Sequence, residues 1–279
     1  MDSIKNGWTL SNGTKIPYMG LGTWKSEDVY ESVRYALENG YYHIDTAHDY
    51  QNEAIIGKAI KDSKINRDDL FVCTKLWNDF GTYDETIAAF NESLEKLGLD
   101  YIDLYLIHWP RPIKYQNSWQ RRNSQVWQAM EDLYLEGKIK AIGVSNFLVE
   151  HLDALSKNAR IKPMVNQLRL CPGVVQEDVV AFCNSNDIIL EAYSPFSRGL
   201  VFGIKELEKI AHKHQKTIAQ VVLRWCYQKG FVALPKSITP KRIMDNKDIF
   251  DFNLTKEEVN IISNVDDLDT WDDPNNIDF

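Results

Sequence analysis

Eight short runs of β-branched, aromatic and aliphatic residues alternate with longer segments of helical period along these 279 residues. A strand–helix repeat of this kind returns each strand parallel to the last, because the helix carries the chain back across the sheet. The predicted strands cover residues 19–23, 41–45, 70–75, 101–108, 139–144, 164–168, 188–193 and 231–234. Helical periodicity follows each of them, over 26–39, 52–63, 83–97, 124–136, 148–157, 176–184, 205–214 with 218–229, and 240–246 with 256–265. Gly40, Gly98 and Gly137 end three of these helices, and Ser26 is read as the N-cap of the first. The stripe Val29, Val33, Leu37 is the face that packs on the sheet. With no composition break or linker, residues 1–279 read as one α/β domain, a (β/α)₈ TIM barrel. A short N-terminal hairpin around Asn12-Gly13 caps the barrel floor. A doubly wound dinucleotide-binding sheet fits less well, because Gly20-Leu21-Gly22 lacks the third glycine of a G-x-G-x-x-G turn.

The formal net charge of −8 and a pI near 5.3 leave no basic excess for nucleic acid or an anionic membrane. Residues 1–10 carry no apolar targeting core, and no stretch is long and apolar enough to span a bilayer. Cys73, Cys171, Cys183 and Cys226 form no CxxC pair and read as reduced, buried thiols of a cytoplasmic protein.

Three successive strands end in ionisable residues: Asp45, with Tyr50 just beyond it, then Lys75, then His108. In a barrel the C-terminal strand ends form the active face, so these four residues share one pocket. A free phenol has a pKa of about 10, and a neighbouring ammonium lowers it. Lys75 is read in that role toward Tyr50, with Asp45 keeping Lys75 charged and His108 orienting a carbonyl oxygen. The set delivers a proton to a C=O, whose carbon then needs a hydride. No side chain supplies one, so a nicotinamide cofactor is implied. A second group, Lys236, Ser237, Thr239 and Arg242, lies before a helix and reads as a phosphate site. A metal site built from His43, His48, Asp45 and Asp49 is the competing reading; Lys75 in the same pocket disfavours a cation. Taken singly, an Asp at a strand end is usually a cap or an ion-pair partner, and a His beside Trp109-Pro110 is usually structural.

The flanking residues add a resemblance. The segments His43 to Glu53, Phe71 to Trp77, Asp103 to Pro110, Gly143 to Phe147, Tyr193-Ser194-Pro195 and Pro235 to Pro240 resemble the signature blocks of the aldo-keto reductase superfamily, in family order. The closest likeness is to its short prokaryotic branch of 2,5-diketo-gluconate and glyoxal or methylglyoxal reductases. The resemblance implies an oxidoreductase acting on CH–OH donors with NADP⁺ as acceptor, a monomer, that reduces aldehydes and ketones with NADPH. It implies Tyr50 as general acid, served by Asp45, Lys75 and His108. Tyr193 would stack on the nicotinamide, with Ser145, Asn146 and Gln167 holding its carboxamide. Gly22, Thr23, Trp24, Ser194, Pro195, Phe196, Ser197 and Arg198 would line the cofactor path, with Arg198 near the pyrophosphate. Lys236, Ser237, Ile238, Thr239 and Arg242 would take the 2′-phosphate, and Asn246 would lie near adenine. Trp24, Trp77 and Trp109, with His108, would wall a substrate pocket suited to a small or apolar carbonyl compound.

The likeness is incomplete. Arg169 and Cys171 stand where the family commonly has Glu and His, a change expected to alter packing behind the cofactor. Asp245 replaces a Glu beside Asn246, Phe196-Ser197-Arg198 departs from the usual loop, and the tail after Asp266 is short and acidic. A barrel that binds NADPH without turning over is the alternative from another functional class.

Overall fold

In a computed structural model, residues 3–266 and 272–279 are described; the start of the acidic tail, residues 267–271, lies outside them. Strands β1 (Gly7–Thr9) and β2 (Lys15–Pro17) pair antiparallel, with Trp8 opposite Ile16, and Gly13 takes a positive φ in the turn. This is the expected hairpin around Asn12-Gly13. Eight parallel strands follow: β3 (Leu21–Gly22), β4 (His43–Asp45), β5 (Phe71–Leu76), β6 (Ile102–Ile107), β7 (Ile139–Ser145), β8 (Val165–Arg169), β9 (Ile189–Tyr193) and β10 (Val232–Leu234). They are hydrogen-bonded in sequence order, and a parallel bridge from Met19 to Ala233 closes the ring. Gly20 N donates to Ala233 O at 2.9 Å and Gly22 N to Pro235 O at 3.0 Å across that seam.

Helices return the chain between strands: α1 (Val29–Glu38), α2 (Glu53–Ser63), α3 (Tyr83–Leu97), α4 (Trp119–Leu135), α5 (Val149–Ser156), α6 (Glu177–Ser185), α7 (Lys205–His214), α8 (Ile218–Gln228), α9 (Pro240–Lys247) and α10 (Lys256–Ser263). The stripe Val29, Val33, Leu37 is buried against the barrel as its spacing requires. Two boundaries differ from the sequence reading. Asp28, not Ser26, caps α1: its carboxylate accepts from Glu31 N, while Ser26 N is already bound to Thr23 O in the preceding turn. Helix α4 begins five residues before Ser124. Its first turns are polar because they hold loop carbonyls; buried Arg122 donates to Phe80 O and Trp109 O, and Asn123 donates to Pro110 O. An apolar-periodicity reading assigns such a run to the loop.

Alternation along each strand decides what enters the barrel. On β5, Val72 and Thr74 face the helices, and Thr74 Oγ1 donates to Glu53 of α2 at 2.6 Å. Cys73 and Lys75 face inward. On β6, Tyr105 faces out against Phe90 of α3, which leaves Leu104, Leu106 and the following His108 facing inward. No helix among the described residues is long and apolar enough to cross a membrane.

The last helix depends on Glu258, which accepts from Thr255 N in a capping box and pairs with Lys213 (2.7 Å) and His214 (3.0 Å) of α7. Burial works against its ionisation, but those partners prevail and hold its carboxyl down at about 2. A depressed carboxylate stabilises the fold above its unfolded pKa and loses that contribution as pH falls through the folded value. Glu258→Gln is therefore expected to lower stability at pH 7 by about 1–2 kcal/mol, consistent with lost charge-assisted hydrogen bonds. Thermal melts of both proteins should converge as pH drops from 5 toward 2; a gap that persists at pH 2 would contradict the ion-pair account.

Candidate active site

The C-terminal ends of the strands open into a single cleft of about 1250 Å³. That is above the usual range of roughly 300–1,000 Å³ for a small-molecule pocket, and roomy enough for a dinucleotide beside a substrate. The structure brings every site residue expected from the sequence onto this cleft except Lys75, which lies fully buried beneath it.

Lys75 Nζ donates to both oxygens of Asp45, at 2.8 and 2.7 Å, and to Thr46 O at 2.8 Å. Burial alone would pull the ammonium down, but Asp45 and Tyr50 raise it by more, so Lys75 stays charged. Tyr50 ends a single 3₁₀ turn, His48–Tyr50, that follows β4 and sets its ring 5.2 Å from Lys75 Nζ. Asn52 braces this corner. It receives a 2.6 Å hydrogen bond from Thr46 Oγ1 and donates to Thr23 O, so it caps α2 with no side-chain bond of its own.

One electrostatic expectation is reversed. Lys75 does pull the phenol of Tyr50 down by charge and hydrogen bonding, but burial is the larger effect, and the Asp45 charge adds to it. The value is pushed up to about 12. The phenol is thus held protonated at neutral pH, which is the state an acid needs. His108 lies edge-on to Tyr50 (5.8 Å) and to Trp77 (5.1 Å). Burial, aided by the charges of Lys75 and Arg122, holds it well below the usual histidine value, so it is neutral. A neutral imidazole donates from one nitrogen only, and such a donor can orient a carbonyl oxygen.

Opposite this group, Tyr193 OH donates to Asn146 Oδ1 at 2.8 Å, while Asn146 Nδ2 donates to His108 O and Ser145 Oγ. Asn146 takes a positive φ to do so. This polar lattice fixes an aromatic face and an amide next to the tetrad, a donor and acceptor set that fits a nicotinamide. The expected phosphate cluster fits equally well. Lys236, Ser237, Thr239 and Arg242 gather at the N-terminus of α9, whose N-cap Thr239 spends no side chain on the free helical N–H groups. Arg242 is exposed and makes no ion pair among the described residues. Asp245 is occupied by Lys241 at 2.6 Å. Arg198 and Trp24 approach across the cleft, guanidinium to ring 5.7 Å.

The metal reading finds no support in this geometry. His48 turns away to Phe80 and Glu53, and of Asp45, Cys73 and Glu191, the three buried groups near one another, Asp45 is taken up by the Lys75 ammonium. Phe279 and Glu191 escaped the sequence reading, and Arg169 was read as lying behind the site rather than on it. Phe279 stacks on Trp77 (5.9 Å, 7°) and meets Trp109 edge-on, so the tail end walls the pocket. Arg169, expected behind the cofactor site, lines the cleft itself and donates to Ser197 Oγ at 2.9 Å. Glu191 lies buried below Gln167. The period-2 position of Arg169 and Glu191 on inward faces could have found both; nothing local marks Phe279.

A family model described as the aldo/keto reductase family matches residues 8–267. The chain belongs to that family. It is 48% identical over 263 residues to the glyoxal reductase of Bacillus subtilis, covering 93% of this chain and 92% of that one. It is 42% identical to the methylglyoxal reductase DkgA of Escherichia coli strain K12, covering 92% of each. Among solved structures, an aldo-keto reductase from a Medee basin deep-sea metagenome library superimposes with a TM-score of 0.91 at 44% identity, covering 98% of this chain and all of that one. The Bombyx mori aldo-keto reductase in complex with NADP gives 0.83 at 40% identity, covering 92% and 91%. Family membership makes this chain an oxidoreductase.

Proposed function

We propose that this chain reduces aldehyde or ketone carbonyls to alcohols with NADPH, and that Tyr50 is the general acid. The observation that carries this reading is the buried Asp45–Lys75 pair set against the ring of Tyr50, with neutral His108 facing the same space. In the bound state NADPH would supply a hydride to the carbonyl carbon. Tyr50 Oη gives its proton to the carbonyl oxygen and is left as a phenolate beside the Lys75 ammonium. His108 donates to the same oxygen and holds it toward Tyr50. Asp45 keeps Lys75 charged, so the phenolate forms next to a cation rather than in bare apolar surroundings. Tyr193 would stack on the nicotinamide ring, and Ser145, Asn146 and Gln167 would hold its carboxamide. The glyoxal and methylglyoxal reductase relatives support small dicarbonyl aldehydes as first substrates, in a pocket walled by Trp24, Trp77, Trp109 and Phe279.

NADPH rather than NADH is favoured by the cations at the start of α9. An exposed guanidinium without an acidic partner can grip a phosphate through two N–H groups, which a ribose hydroxyl does not need. Arg242→Ala is expected to weaken NADPH by roughly 10- to 100-fold, the size of a lost charge-assisted bidentate contact. NADH should change by less than about twofold. Comparative steady-state kinetics check this, and equal losses for both cofactors would sink the phosphate assignment. Monomeric state and a cytoplasmic location belong to the same proposal; light scattering of the purified chain tests the first.

A further inference from the structure

We propose that Glu191 is a positioning residue for the nicotinamide end of the cofactor, acting by fixing which way the amide of Gln167 points. The proposal rests on the reading of the cleft as an NADPH site.

The centre of this barrel is polar where branched aliphatic side chains usually fill it. Gln167 on β8 and Glu191 on β9 are register partners, and alternation points both inward. Gln167 Nε2 donates to Asp45 Oδ2 at 2.9 Å and to Glu191 Oε2 at 2.9 Å. Both amide protons are therefore spent on carboxyl groups below and beside it. A primary amide has two donors on nitrogen and an acceptor on oxygen. If the amide turned over, its oxygen would face the Asp45 carboxylate, which is paired with the Lys75 ammonium, so the observed orientation is favoured. It leaves Gln167 Oε1 as the amide's acceptor, in a cleft also lined by Ser145, Asn146 and Tyr193. Asp45 takes one amide proton and Glu191 the other, so the nitrogen is held at two points.

Glu191 is not held in place by an ion pair. His43 Nε2 lies 3.6 Å from Glu191 Oε1, both fully buried, with no hydrogen bond between them. Burial holds His43 down at about 4, so it is neutral. Burial and then the Asp45 charge push the Glu191 carboxyl up from its usual value. Gly20 makes room for this layer: a Cβ there would come within 2.8 Å of the His43 ring. Among the described residues, the hydrogen bond that the Glu191 side chain receives is the one from Gln167.

Three variants and two ligands test this. NADPH reports the whole site, and 2′,5′-ADP reports only the adenine and phosphate end. Glu191→Gln keeps an acceptor for Gln167 and should hold NADPH affinity within about twofold of wild type. Glu191→Asp retracts the acceptor by one methylene, and Glu191→Met removes it. Both should weaken NADPH by roughly fivefold to tenfold, the loss expected when the competent amide orientation is only a minor share of the free protein. The affinity for 2′,5′-ADP should be unchanged in all three. Wild-type NADPH affinity in the Asp and Met variants would overturn the proposal, and so would parallel losses of both ligands, which mark a merely structural role. If the Met variant does not fold, the Asp variant decides. Failure of the NADPH-site reading would show differently, as wild-type protein that binds neither ligand.

Discussion

Tyr50→Phe is expected to lose turnover of a small aldehyde by about 10²–10⁴-fold, the span that a positioned general acid supplies. The substitution deletes one oxygen and keeps the ring beside His108 and Lys75. NADPH should still bind with near wild-type affinity, because the residues proposed to hold it lie on β7, β8, β9 and the α9 terminus rather than on the His48–Tyr50 turn. The two readouts together separate chemistry from binding: stopped turnover with retained cofactor quenching supports the acid, and turnover within tenfold of wild type removes Tyr50 from the role. In the proposed reaction the phenol enters protonated, and burial, which outweighs the pull of Lys75, reinforces that state. Lys75 therefore matters most after the proton has left, when it faces a phenolate. The advantage of the cation is realised as charge develops, which is where an electrostatic contact accelerates a step.

Lys75→Met should be the most destabilising of the site substitutions. Lys75 is fully buried and gives three hydrogen bonds, two to Asp45 and one to Thr46 O. Removing it leaves Asp45 as an uncompensated charge in the barrel, a loss of about 3–5 kcal/mol when one partner of a buried pair is deleted. Denaturant melts check the stability, and turnover at a temperature where the variant is folded checks the chemistry. Both should fall. A variant with an unchanged melt would mean that Asp45 takes up a proton at little cost, and the account of the pair as a fixed charge centre would be wrong. Paired replacement of Asp45 and Lys75 by apolar residues should recover stability without recovering turnover, since nothing would then face the phenolate.

The barrel was legible in the sequence because its signal is periodic and repeated. Each inward and outward face of β5 and β6 follows from residue alternation, and α3 is bounded by Thr82 with Glu85 at one end and Gly98 at the other, as capping chemistry requires. Asp45, Lys75 and His108 were legible for the same reason, since strand ends place them on one face. What failed has a common cause. The first turns of helix α4 carry Arg122 and Asn123, whose task is to satisfy loop carbonyls, and such residues add no apolar stripe to read. The net effect on Tyr50 depends on how deeply the ring is buried, a quantity set by packing that spacing does not encode. Phe279 reaches Trp77 across 202 residues of sequence, and no local pattern announces such a contact.

That last contact separates two kinds of change. The groups proposed to handle the proton stand at strand ends or, for Tyr50, on the short turn after β4, where a shift would disturb the barrel. Phe279 arrives on a segment that adds no strand to the sheet and is held by Asn78 Nδ2 at its carbonyl and by ring contacts with Trp77 and Trp109. A substitution at Phe279 itself is expected to reshape the far wall at little cost to the barrel. Directed evolution toward a bulkier carbonyl compound would therefore find its first productive mutations in the last few residues, and a library that varies only the strand ends would mostly recover inactive protein.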